Sequence, residues 1–231
     1  MTLVDAPSQY RRVRSFVRRE GRITAAQKDA LERLWPTYGL DPPKAMLDLA
    51  KVFGRVAPTV VEIGFGNGDH LVARAQAEPE KNFLGIEVHR PGVGRVLHRA
   101  EQQLLANLRV ACHDAVEFLR DGIAPQSLAE VVVYFPDPWP KKRHHKRRLI
   151  QPEFVAMVAS RLATGGWFRL ATDWAQYGEQ MLAVLNADPQ LRNGAAGGGF
   201  SERPLTRATT RFEARGERLG HQVFDLEFQR Q

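Results

Sequence analysis

Three glycines, Gly64, Gly66 and Gly68, stand in VVEIGFGNGDHL between an apolar β-branched run and a helical pattern. Without Cβ atoms at such a junction the backbone bends tightly and approaches a ligand, and the helix that follows offers its first amides. The loop by itself leaves the ligand open, because a nicotinamide-binding fold uses a related turn there and a plain tight turn is also glycine-rich. Glu87 closes the next apolar run, where a carboxylate accepts two hydrogen bonds from a ribose diol, which either cofactor class would satisfy. Asp114 follows the third run, where an acceptor can meet an adenine amino group, although a lone acid at a strand end is usually a helix cap or a solvated turn. Glu62 is more informative. A carboxylate inside the first run is costly when buried and suits a cationic ligand better than a pyrophosphate. Three acids on successive strand ends, with no base in the glycine loop, lean toward S-adenosylmethionine, which carries an ammonium and a sulfonium.

The fourth run opens into VVVYFPDPWPKKRHHKRRLI, where Pro136, Pro138 and Pro140 stiffen the chain just beyond a strand and fix Asp137 over the ligand-facing edge. Asp-Pro pairs are common in turns, but a turn at the end of a buried strand favours a part in the chemistry for Asp137. Lys141, Lys142, Arg143, Lys146, Arg147 and Arg148 follow, with His144 and His145 between them. Charge runs are usually solvated surface. This one adjoins the expected reaction centre, and its cations repel one another unless a polyanion draws them together, so phosphate binding is the better reading. The paired histidines have no matching ligands at a useful spacing, and the surrounding positive charge opposes a cation, so no metal is expected.

These residues need a scaffold that brings them to one edge. From Thr59 onward short apolar runs alternate with helical patterns, the signature of βαβ units and a parallel sheet covered on both faces, an α/β fold. The pattern predicts strands over Thr59–Ile63, Asn82–Glu87, Leu108–Cys112, Glu130–Phe135 and Trp167–Ala171. Helices are predicted over Asp69–Ala77, Arg90–Leu105, Pro152–Leu162 and Trp174–Asn186. In HQVFDLEF, Phe224, Leu226 and Phe228 share one face and predict a last, antiparallel strand.

The 231 residues suit a single main domain, 23–231, behind a flexible basic arm, 1–22. Six arginines between Arg11 and Arg22 make that arm either a solubilising tail or a segment that orders on RNA. Asn193–Phe200, containing GAAGGG, is likewise expected to be mobile without a partner. A net charge of +7 favours a polyanionic partner, nucleic acid ahead of an acidic membrane surface. Cys112 is the only cysteine, which excludes an intramolecular disulfide, and no apolar run resembles a signal peptide or a membrane span. A cytoplasmic protein without a membrane partner is expected, with a monomer as the working unit.

VEIGFGNGDHL, GIEVHRPGVG, YFPDPWPKKRHHKRRL, ATDW and TRFEARGERLGHQVFDLEF, with the opening SFVRREGRITAAQKDAL, resemble the successive motifs of the bacterial tRNA (guanine-N7)-methyltransferases. The resemblance runs from Arg14 to Phe228, and its PDPWPKKRHHKRR and TRFE segments are far more specific than a glycine loop. It implies a class I methyltransferase Rossmann-like fold, a seven-stranded, mostly parallel sheet with a reversed last strand. It also implies S-adenosylmethionine as cofactor and methylation of a variable-loop guanine of tRNA to 7-methylguanosine. By motif match Glu62, Glu87, Asp114 and Asp137 are cofactor-site residues beside the glycine loop, with Asp137 also the catalytic residue. Lys141, Asp173 and the segment Thr210, Arg211, Phe212 and Glu213 would hold the substrate, and Arg143 to Arg148 would touch RNA. TRFE has arginine where lysine is also usual in that family.

Guanine N7 presents an unprotonated lone pair, so an enzyme of this kind needs no base to remove a proton before attack. Its work is to position the base and to stabilise the positive charge that develops on it, the part expected of Asp137. The two parallel donors of the guanine Watson–Crick edge suit one carboxylate, Asp173 or Glu213, and Lys141 can donate to the neighbouring carbonyl oxygen. An exocyclic-amine methyltransferase and an RNA-binding protein on a catalytically dead scaffold are the rivals. Asp-Pro-Trp at the fourth strand and the intact acids Glu62, Glu87, Asp114 and Asp137 argue against them.

Overall fold

The computed structural model describes residues 23–204, 207 and 222–231. The basic arm and the expected substrate residues Thr210, Arg211, Phe212 and Glu213 lie outside the described residues. The chain runs α1 (Ala25–Arg33), α2 (Trp35–Tyr38), β1 (Gly39–Leu40), α3 (Leu49–Phe53), β2 (Thr59–Ile63), α4 (Asp69–Ala77), β3 (Asn82–Ile86), α5 (Arg90–Gln102) and β4 (Leu108–Ala111). It continues through α6 (Ala115–Gly122), β5 (Leu128–Tyr134), a 3-10 helix (Lys142–Arg147), α7 (Pro152–Arg161), β6 (Leu162–Thr172), α8 (Ala175–Ala187), β7 (Leu191–Asn193) and β8 (Phe224–Arg230).

The strands form one sheet in the order β1-β4-β3-β2-β5-β6-β8-β7. Every neighbouring pair from β1 to β6 is parallel, and β8 runs antiparallel to both β6 and β7. Among the described residues the sheet has eight strands where the family resemblance implies seven. The extra one, β1, is only two residues, Gly39 and Leu40 paired with Val110 and Ala111 on β4, too short for any alternation to announce it. The chain grows from β2 outward to β3 and β4, then returns to β5 on the other side. That reversal opens a crevice at the carboxyl ends of β2, β3 and β5.

Alternation on the central strands divides the core between two faces. Val61, Ile63, Val131 and Val133 pack with Phe118, Phe154, Val158 and Met181 from α6, α7 and α8. Val60, Val132 and Val110 pack with Leu71, Val72, Val93, Val96 and Leu97 from α4 and α5. Glu62 and Glu130 have the parity of Val60 and Val132, so they turn toward α4. There Glu130 is clamped by two arginines: Arg74 Nη1 donates to its Oε1 at 2.7 Å, and Arg169 Nη1 lies 2.8 Å from the same oxygen. Burial alone would raise the Glu130 carboxyl, but Arg74 and Arg169 outweigh it and hold the group below the usual carboxylate range.

The GAAGGG segment departs from the expectation of a mobile loop, because its backbone is tied at several points. Gly194 N donates to Glu227 O at 2.8 Å, and Asn193 and Asn186 donate side-chain amides to Gly199 O and Gly198 O at 3.0 and 3.2 Å. The side-chain amides of the two asparagines thus hold carbonyls of the segment in place.

Candidate active site at the carboxyl edge of the sheet

β2, β3, β4, β5 and β6 end at one edge, and their ends carry Gly64, Glu87, Asp114, Asp137 and Asp173. A cavity of about 540 Å³ opens there, lined among others by Gly64, Glu87, Asp114, Tyr134, Phe135 and Asp137. That volume is within the range of about 300–1,000 Å³ usual for small-molecule sites. Glu87 is 8% exposed. Its Oε2 accepts from Gly66 N at 2.8 Å, and its Oε1 accepts from Val88 N and His89 N at 2.7 and 3.0 Å, so the carboxylate pins the glycine loop to the end of β3. Gly64 has φ 72°, and a Cβ there would meet only open space at the cavity wall, so a left-handed turn and room for a ligand coincide. Gly68 serves packing instead. A Cβ on it would stand 2.0 Å from Val96 Cγ2, so its absence lets α4 start hard against α5.

Asp114 caps α6, accepting from Val116 N at 2.8 Å while also lining the cavity, so the cap and the ligand-facing position occur together. Glu62 is outside that lining. It is 5% exposed, and its Oε2 lies 2.8 Å from His70 Nδ1 of α4, beneath the glycine loop.

The turn after β5 carries two non-glycine residues in the left-handed region, Phe135 at φ 52° and Trp139 at φ 44°, on either side of Pro136, Asp137 and Pro138. Such residues cost free energy and persist where neighbours hold them. Phe135 N donates to Ala171 O at 2.8 Å. Asp137 is exposed and belongs to two cavities, the first and a second of about 740 Å³ that also meets Asp173, Trp174, Gln222 and Phe224. The two chambers share Phe135, Pro136, Asp137 and Pro138 as a common wall.

Beyond the turn the basic run winds into the 3-10 helix. Lys141, Lys142, Arg143 and Lys146 are exposed. Arg147 lies over the Trp139 ring at 5.0 Å, and His144 meets that ring edge-on at 5.8 Å. Desolvation and the neighbouring Arg143, Arg147, Lys141 and Lys146 push the His144 imidazole below its ordinary value. Lys141 precedes this helix and lines neither cavity.

Arg148 departs from the expectation of an RNA-facing cation. It is 3% exposed. Its Nε donates to Pro138 O at 2.8 Å, its Nη groups reach Gln180 and Gln176 of α8 and His145 Nε2, and its guanidinium lies 4.8 Å over the Tyr177 ring. Burial pushes the Tyr177 hydroxyl up to about 12, so it stays protonated while accepting from Ile150 N at 3.1 Å. Arg148 thus ties the Asp137 turn to the helix that begins after Asp173. Arg148→Ala should cost about 2 kcal/mol of unfolding free energy in urea denaturation and leave the salt slope of polyanion binding unchanged. A slope lowered by about one with intact stability would instead mark a phosphate contact.

Among the described residues no cluster of His, Cys, Asp and Glu is arranged to hold a metal ion, and no helix is long and apolar enough to cross a membrane. Residues 56–226 match the family model described as “Putative methyltransferase”. A tRNA (guanine-N(7)-)-methyltransferase of Methylococcus capsulatus is 57% identical over 229 residues, 99% of this chain and 98% of the relative. The protein of the same description from Alkalilimnicola ehrlichii is 55% identical over 228 residues, 98% and 96% of the two chains. Among solved structures, the 16S rRNA methyltransferase KamB covers 80% of this chain and 94% of its own at TM-score 0.57 and 14% identity, a likeness of fold.

Proposed function

The chain belongs to the tRNA (guanine-N(7)-)-methyltransferase family, and from that premise we propose a division of labour: the first cavity takes S-adenosylmethionine and the second takes a variable-loop guanine of tRNA. The chain is a methyltransferase enzyme that acts on guanine N7 in tRNA. One observation carries the division. The first cavity is lined by three carboxylates, Glu87, Asp114 and Asp137, and by no lysine or arginine, while exposed cations begin just outside it. A site of that charge suits a cationic donor and disfavours a dinucleotide pyrophosphate. Cytoplasmic tRNA is the partner this reading names.

S-adenosylmethionine, when bound, supplies an electrophilic methyl group on a sulfonium. Glu87 is suited to the ribose diol, because a carboxylate already fixed by three amides presents its remaining lone pairs in set directions. Asp114 is suited to the adenine amino group, and Glu62, held by His70, supplies negative charge beneath the glycine loop. Asp137 stands where both chambers meet, so it can stabilise positive charge on the imidazole ring of guanine as the methyl arrives. No residue need remove a proton from N7. Asp173 is the carboxylate suited to the Watson–Crick edge, and Lys141, Lys142, Arg143 and Lys146 are suited to phosphates.

The deciding assay incubates the protein with labelled methyl donor and unmodified tRNA and identifies the product nucleoside by mass spectrometry. Label in 7-methylguanosine supports the proposal; label on an exocyclic amine, or none, overturns it. Asp173→Asn should lower kcat/KM for guanine-containing tRNA by about 10- to 100-fold, the value of a lost bidentate pair. The same variant should relax the preference over a tRNA carrying adenine at the target position. An unchanged guanine-to-adenine ratio would remove Asp173 as the reader.

A further inference from the structure

We propose that Trp174 is the surface on which the target guanine stacks, an inference that rests on the assignment of the second cavity to the base. The backbone of Trp174 is fixed at the junction of β6 and α8. Its N–H donates to Thr172 Oγ1 at 3.2 Å, and its carbonyl accepts from Tyr177 N and Gly178 N, both at 2.9 Å. Trp174 is 40% exposed and lines the second cavity together with Asp173, Phe135 and Asp137.

The other three tryptophans all engage their indoles. Trp35 Nε1 donates to Asp41 Oδ1 at 3.0 Å, Trp139 carries Arg147 on its ring, and Trp167 carries Arg169 at 5.2 Å. Among the described residues the Trp174 indole has no hydrogen bond, ring contact or cation. An indole carried on a tied backbone and open to a cavity presents a large apolar area that no ring or cation of the described residues covers, and a flat ring system is the ligand that covers it best.

The neighbouring charges select which flat ring. Asp137 and Asp173 place two carboxylates in the same chamber, which repels phosphate and favours a heterocycle with hydrogen-bond donors on its edge. Guanine supplies two such donors side by side and a two-ring face. Stacking holds the plane of the base, and the carboxylates set its rotation within that plane. Together they fix the direction in which N7 points, which is what an in-line transfer requires.

The test uses the full chain and unmodified tRNA with labelled methyl donor. Trp174→Ala should lower kcat/KM for tRNA roughly 5- to 100-fold and leave the affinity for the methyl donor unchanged, and Trp174→Phe should recover most of the loss. Intrinsic fluorescence supplies an independent readout: guanosine 5′-monophosphate should quench the wild-type chain, and Trp174→Phe should abolish that quench. Unchanged kcat/KM in Trp174→Ala, or persistent quenching in Trp174→Phe, overturns the proposal. Equal loss of donor affinity in Trp174→Ala also overturns it, because the indole would then be holding the fold of the edge. If the wild-type chain makes no 7-methylguanosine, the functional reading fails, and the quenching arm still decides whether the indole takes a purine.

Discussion

Replacing Asp137 by asparagine should lower the single-turnover rate of methyl transfer by about 10²- to 10³-fold at saturating donor and tRNA, the usual consequence of removing one preorganised electrostatic contact to the transition state. The substitution keeps the side-chain shape and removes the charge. Asp137 is exposed and stands on a turn held by other residues, so unfolding free energy should stay within about 0.5 kcal/mol of the parent. Donor and tRNA affinities, measured separately, should change far less than the rate, because the charge that Asp137 answers exists only as the methyl moves. A rate reduced less than tenfold would move the stabilising role to another residue at the junction of the cavities.

The second large effect is on the fold. Glu130→Ala should destabilise the protein by about 3–5 kcal/mol. It strips Arg74 and Arg169 of the carboxylate they share on a buried stretch of β5. Arg74 would keep Glu78, 2.6 Å from its Nε, and Arg169 would keep Glu227, so each guanidinium would retain one partner and lose the other. Urea denaturation followed by circular dichroism measures the loss, and a melting temperature lower by about 10 °C should accompany it. A change below about 1 kcal/mol would mean that the paired arginines relax outward to solvent.

The parallel strands β2, β3 and β4 were legible to within a residue, because strands covered on both faces read as near-continuous apolar runs, as in residues 60–63, interrupted by Glu62, and residues 83–86. The early helices α1, α2 and α3 and the two-residue β1 carry no comparable pattern, and α6 is a short helix whose start is marked chiefly by its Asp114 cap. The acids of the edge were legible because strand ends in such folds converge on one crevice. The orientation of Glu62 follows from period two alone: it shares the parity of Val60, which faces α4 and therefore His70.

Arg148 was illegible for a physical reason. In sequence it is one of six similar cations, and its burial depends on Gln176, Tyr177 and Gln180, distant residues brought alongside by the crossover from β6 to α8. Trp174 likewise looks like an ordinary helix-start aromatic until the structure shows what surrounds the other three indoles.

The turn that carries Asp137 behaves as a cocked spring. Phe135 and Trp139 hold backbone angles that cost about 1–3 kcal/mol each, and three prolines leave the segment few other shapes. Its catches are the Phe135 amide on Ala171 and the Arg148 guanidinium on Pro138. Releasing either catch would send the aspartate to a new rest position, where a small tremor about the old one would be expected of an unstrained loop. Precision at the reacting atoms is thus lent in part by Ala171 and Arg148, which line neither chamber.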